Sequence, residues 1–157
     1  MYAIGDKISH PLHGAGVIED IVAQRVNGIS RDYYVFRVPS GNIVVMIPLL
    51  SCDEIGVRPI IDHAAAQAIL DSFPAMEPDC DINWNKRYRD NMTRLKSGDL
   101  TEVALVVKSL MQRERGRTLS AGERKMLGTA KQILLSELSL AMSRAVQELE
   151  SALLGML

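Results

Sequence analysis

Asp81-Ile-Asn-Trp84-Asn-Lys-Arg-Tyr-Arg-Asp90-Asn-Met-Thr-Arg94 is where the chain changes character: the sequence before it reads as strands, the sequence after it as helices. It holds the single tryptophan, and Lys86, Arg87, Arg89 and Arg94 crowd behind it. Asn83, or Asp81 before it, can cap the following helix, because a short side-chain oxygen accepts a free backbone N–H there. Trp84 then sits on the first turn. Two readings follow. An indole beside guanidinium groups suits an apolar wedge between phosphate clamps; equally, Trp84 can be a core anchor with the charges on a solvated face, and spacing alone favours the core.

Working backwards, the first sixty residues are punctuated into short strands. Lys7–His10 is brief, and Gly16-Val-Ile-Glu-Asp-Ile-Val22 follows a Pro11-Leu-His-Gly-Ala turn. Tyr33–Val38 and Ile43–Ile47 are rich in β-branched and aromatic residues, with Pro39-Ser-Gly-Asn42 as a tight connection. The pattern predicts a small, strongly bent antiparallel sheet or barrel. So small a sheet exposes edges, and an exposed edge can accept a strand from another protein. Asp62-His-Ala-Ala-Ala-Gln-Ala-Ile-Leu-Asp71 switches to a capped helix, and Ser72–Asp79, with two prolines, ends it as a linker.

Working forwards, the helix from Trp84 stops near Ser97-Gly98. Asp99 with Glu102 and Ser120 with Glu123 each read as a capping box at the start of a further helix. Between them Arg113-Glu-Arg-Gly-Arg-Thr118 is a basic turn. The last helical run continues toward Leu153, unbroken or broken near Ser136–Leu140. The expected class is therefore α+β: residues 1–60 as the sheet unit, 61–80 as helix and linker, 81–157 as a compact all-α unit.

The net charge of −1 conceals a split. Residues 1–80 carry five Lys/Arg against ten Asp/Glu, whereas residues 81–131 carry twelve against six. Different partners for the two halves follow from that asymmetry. Lys86, Arg87, Arg89 and Arg94, then Arg113, Arg115 and Arg117, then Arg124, Lys125 and Lys131 lie on three consecutive elements. Brought to one face they would hold phosphates by charge, without reading sequence; a solvated basic surface is the plain alternative.

Catalytic patterns are absent from the sequence: no nucleophile elbow, phosphate loop or Ser/His/Asp arrangement supports an enzyme. His10-Pro-Leu-His13 could offer two metal ligands, but no carboxylate or cysteine joins them, so neither metal nor cofactor is expected. Gly14-Ala-Gly16 reads as a bulge or turn. Cys52 and Cys80 form no CxxC pair. With no signal-like N-terminus and no membrane-length apolar run, a cytoplasmic, reducing environment is expected.

Several of these stretches carry a family likeness. Gly5-Asp6-Lys7, His10-Pro-Leu-His-Gly-Ala-Gly16, Tyr33-Tyr-Val-Phe36 and Met46-Ile-Pro48 are its N-terminal marks. Asn83-Trp84-Asn-Lys-Arg-Tyr-Arg89, Lys96-Ser-Gly98 and Leu119-Ser-Ala-Gly-Glu-Arg-Lys-Met-Leu127 are its more specific C-terminal ones. The chain resembles CarD/CdnL-type bacterial transcription factors over nearly its whole length. The resemblance implies a Tudor-like N-terminal module, shared with transcription-repair coupling factors, that docks by strand pairing on the β subunit of RNA polymerase. The matching edge is Ile43–Ile47, with Val44, Val45, Met46 and Ile47 leading into Pro48, and Gln24 or Arg25 near the preceding strand. Some relatives have arginine where this chain has Met46, which makes that contact apolar.

The resemblance also implies a helical module that grips promoter DNA at the upstream edge of the transcription bubble. Trp84 would wedge into the distorted minor groove and keep the duplex from closing. Lys86, Arg87 and Arg89, Arg113, and Arg124 with Lys125 would hold the backbone, and Met92 would extend the apolar patch. Thr129 stands where relatives can be basic, which weakens the grip. The implied protein is a monomeric initiation factor, associated with the nucleoid through polymerase. The alternative from another class is a protein-only adaptor in which Trp84 and Met92 dock a protein. A detached piece of a repair-coupling translocase lacks its nucleotide-binding motif.

Overall fold

A computed structural model describes residues 1–78 and 83–157. Expectations placed on Cys80 and Asp81 lie outside the described residues. Five antiparallel strands come first: β1 (Lys7–His10), β2 (Gly14–Val26), β3 (Ile29–Val38), β4 (Ile43–Pro48) and β5 (Arg58–Pro59). Their order in the sheet is β4-β3-β2-β1-β5, which leaves β4 as one edge. In β3 the side chains alternate, so Tyr34, Phe36 and Val38 face inward with Ile8, Ile18 and Ile47, and a register shift between Ile18 and Asp20 interrupts the β2–β3 ladder.

Both β2 and β3 run further than the hydrophobic pattern suggests. Asn27 (φ 53°) and Gly28 (φ 77°) form the left-handed pair that a two-residue hairpin turn demands. Val22–Val26 pairs with Ile29–Tyr33 as a two-stranded ribbon reaching past the end of β4. Ribbon residues such as Gln24, Arg25, Ser30 and Arg31 are exposed on both faces, so they lack the alternation that marks a half-buried strand. The connection at Pro39–Gly41 is a 3-10 turn closed by Asn42 in the left-handed region.

Helices supply the second layer. α1 (Cys52–Ile55) is one turn, and α2 (His63–Ser72) starts at Asp62, whose Oδ1 accepts the Ala65 N–H at 2.8 Å. α3 (Trp84–Lys96) begins at Asn83, which accepts from Lys86 N at 3.2 Å. α4 (Leu100–Gly116) is capped by Asp99. Glu102 does not close a reciprocal box there; it lies 3.3 Å from Arg94 of the preceding helix. α5 (Ala121–Met142) is one uninterrupted helix of 22 residues, and the break before α6 (Val146–Gly155) falls at Ser143, in the left-handed conformation, rather than near Ser136–Leu140.

The helix α2 and the start of the expected linker, through Phe73, pack as part of the helical layer. Ala66, Ile69, Leu70 and Phe73 are buried in one cluster with Val107, Leu110, Leu134 and Leu138. Buried Lys108 secures it by donating to the carbonyls of Phe73, Pro74 and Met76 at 2.6, 2.8 and 2.7 Å. Three acceptors match the three N–H bonds of an ammonium.

Sheet and helices meet along α5. Ser136 Oγ accepts the Ala15 N–H at 2.8 Å, and Gly14 (φ +93°) lies so close beneath that a side chain would collide with it. Glu137, wholly buried, receives Arg58 bidentately at 2.7 and 2.9 Å and the Ile61 N–H at 2.9 Å. This seam sets where the two halves can place their surfaces relative to one another.

His10 gives the sheet unit a pH signature. It is 6% exposed, accepts the Leu12 N–H on Nδ1 and stacks near Phe36. Burial, with some help from His13, holds its pKa down at about 4, from the usual 6.5. The unfolded chain therefore takes up a proton that the folded one refuses. Stability should be full above pH 6.5 and decline as the pH falls toward 4, by on the order of 2 kcal/mol. Urea titrations at pH 7 and pH 5 on wild type and His10→Gln check this: the variant should lose most of that slope.

Candidate nucleic-acid interface

Trp84 is the first residue of α3 and is 42% exposed, so the core reading that spacing favoured does not hold. Its indole N–H donates to Ser120 Oγ at 3.2 Å, and its ring stacks on Tyr88, one turn on, at 5.0 Å and 18°. Residues four apart on a helix face each other, which is how Tyr88 reaches it. Gly122 backs the pair at van der Waals distance: a Cβ there would stand 3.4 Å from Tyr88 and 3.7 Å from Trp84. The indole is thus fixed along one edge and one face while much of its surface meets solvent.

Ser120 does more than cap α5. Its hydroxyl accepts from Glu123 N at 3.2 Å as well as from Trp84, and donates toward Glu123 Oε1 at 3.4 Å. That uses the full capacity of a hydroxyl. One serine therefore ties the start of α5 to the start of α3.

Arg87 departs from expectation. It is 5% exposed and turned inward, with Nε 2.9 Å from Glu123 Oε2 and Nη2 3.3 Å from Oε1. Arg113, from the end of α4, approaches the same carboxylate at 3.8 Å. Burial pushes the Glu123 carboxyl up, but the Arg87 hydrogen bond and charge, then Arg113 and Ser120, outweigh it and hold the group below its ordinary value. Sequence had read Glu123 as a helix cap; it is also the buried counter-ion joining three helices.

The remaining cations face outward. Lys86 stands 3.9 Å from Asp90, both about half exposed, a pairing worth little in water. Arg89 and Lys125 are exposed and have no ion-pair partner among the described residues, and Arg124 donates to Leu119 O at 3.3 Å. Arg115 and Arg117 join Arg124 around an open depression of about 420 Å³ beside the basic turn. Met92 is half-buried against the core. The starts of α3 and α5 thus converge through Ser120 and Glu123, as the capping patterns allowed.

At the other end, β4 pairs with β3 alone. Val44 is 50% exposed, Val45, Met46 and Pro48 are half-buried, and Ile47 points into the core. Gln24 and Arg25 pair with Arg31 and Ser30 on the ribbon, two strands from that edge, so the structure does not bring them beside Val44–Pro48.

A family model described as the CarD-like/TRCF RID domain matches residues 2–61, and one described as the CarD C-terminal domain matches residues 68–154. The chain belongs to the CarD family. Its sheet and helical units correspond to the two CarD modules in order, which makes it a transcription regulator by class and not an enzyme. YdeB of Bacillus subtilis (strain 168), whose name describes it as a putative transcription factor, is 36% identical over 151 residues, spanning 96% of this chain and 99% of that protein. Among the described residues, no helix is long and apolar enough to cross a membrane, and no group of His, Cys, Asp and Glu is arranged to hold a metal ion.

Proposed function

We propose that this protein binds the β subunit of RNA polymerase through the β4 edge and stabilises the open promoter complex with Trp84. The observation that carries the reading is the state of Trp84: half exposed, braced by Tyr88 and Ser120, at the head of a cationic helix. A braced apolar plate can enter an unstacked or widened minor groove with little rotamer entropy left to lose. Arg89, Arg124, Lys125 and Lys86 act on phosphates, with Met92 beside the wedge. Arg87 and Arg113 act from below, as positioning residues that hold α3 against α5 through Glu123.

The wedge fits melted DNA better than closed duplex, and only differential affinity shifts that equilibrium. Weak charge-based binding becomes effective when polymerase tethers the protein beside the junction. Sequence readout is minor, since phosphates and a stacked indole do not identify bases. The protein would act as a monomer, on the nucleoid, through polymerase.

Anisotropy titrations with forked and blunt DNA test the DNA half of the reading. Fork affinity should fall steeply with salt and exceed that for blunt duplex. A protein that binds polymerase but shows neither property is an adaptor instead. The polymerase half is tested at Val44, whose side chain is half in solvent, so a charge there spares the core. Val44→Glu should weaken capture by the isolated β lobe about tenfold, roughly 1.4 kcal/mol, and leave fork affinity unchanged.

A further inference from the structure

Next to Trp84 the surface opens into a groove of about 200 Å³. Tyr88, Met92 and Met126 give it an apolar lining, and Leu12 closes one side from the turn between β1 and β2. Leu12 is 61% exposed, so its side chain is available to a ligand in the groove. Lys96 and Lys125 also line the groove, and among the described residues no carboxylate does. Neither lysine has an ion-pair partner among the described residues.

We infer that this groove receives one unpaired nucleobase of the DNA fork, with Lys96 and Lys125 on the flanking phosphates. The inference rests on the wedge reading and names what lies beside the wedge. Once Trp84 has parted a base pair, the displaced base has lost its stacking partner, and holding it requires no further unpairing. A slot with an aromatic and two thioethers offers stacking surface without hydrogen-bond readout, as sequence-tolerant base binding requires. Charge decides for nucleic acid over an apolar peptide: two lysines with no carboxylate against them among the described residues match phosphates on either side of a base. Leu12 gives the sheet unit a share in the DNA contact that sequence reading assigned wholly to the helices.

The test walks a single abasic site through the first unpaired nucleotides of forked DNA, with affinity read by anisotropy for four proteins. Wild type should lose about fivefold at one position and nothing at its neighbours, the scale of one lost base stack. Leu12→Asp, at an exposed turn, and Thr129→Phe, which puts a ring into the groove that Thr129 lines, should bind the intact fork about fivefold more weakly and become indifferent to the abasic site. Trp84→Ala should weaken every fork alike. If wild type depends on Trp84 but ignores every abasic position, the base site is overturned and the wedge stands. If Trp84→Ala binds all forks as wild type does, the wedge reading itself falls. An abasic-insensitive protein in which Leu12→Asp impairs only the polymerase complex would assign the groove to a protein partner and overturn the inference.

Discussion

Glu123→Gln is expected to destabilise the helical unit by about 3 kcal/mol, far more than an isosteric surface change would. The carboxylate is 2% exposed and neutralises Arg87, itself 5% exposed, with Arg113 at 3.8 Å. Gln can keep a hydrogen bond to Arg87, but it takes away the carboxylate charge that the buried guanidinium and Arg113 both face. The same pair predicts acid sensitivity. Because the folded-state pKa of Glu123 is lowered, its contribution is present above the unfolded carboxylate value and lost as the pH falls through the folded one. Guanidinium titrations read by circular dichroism give the stability. The emission of the single tryptophan reports on the site itself, since Trp84 shares Ser120 with Glu123. A change under about 0.5 kcal/mol would mean that the three helices are held together by packing alone.

Trp84→Ala has the opposite profile: a smaller effect on stability, a large one on DNA. Its indole buries only part of its surface and makes one exposed hydrogen bond, so unfolding should shift by about 2 kcal/mol, less than for Glu123→Gln. Loss of the wedge should lower fork affinity about tenfold, corresponding to roughly 1.4 kcal/mol of preference for the open state. Trp84→Phe keeps the stack on Tyr88 and loses the bond to Ser120, and should fall between the two. The variants separate wedge from scaffold, because Glu123→Gln weakens DNA binding through a loosened α3 whereas Trp84→Ala leaves α3 in place.

Local chemistry was legible where a signal sits within a few residues. Asn83, Asp62 and Ser120 cap helices as their positions demand, and the β-branched runs at Tyr33–Val38 and Ile43–Ile47 are strands. The Asn27-Gly28 turn went unread, because its flanking ribbon is exposed on both faces and lacks the alternation that marks a half-buried strand. The direction in which Arg87 points was not legible: an arginine three residues after Trp84 reads as surface until a buried Glu123, 36 residues on, is placed against it. Nor could the seam be read, since Ala15 to Ser136 and Arg58 to Glu137 join residues from opposite ends of the chain. The exposure of Trp84 depends on the same non-local geometry, because the serine that braces it belongs to another helix.

The lifetime of open complexes formed by the cognate polymerase on a ribosomal-RNA-type promoter tests the central claim most directly. It is measured after a competitor challenge without the protein, with wild type and with Trp84→Ala. Wild type should lengthen the lifetime about tenfold, and the variant, folded and still bound to the β lobe, should leave it near the protein-free value. Equal lengthening by both proteins, or none by wild type while it remains bound to polymerase, would contradict the account.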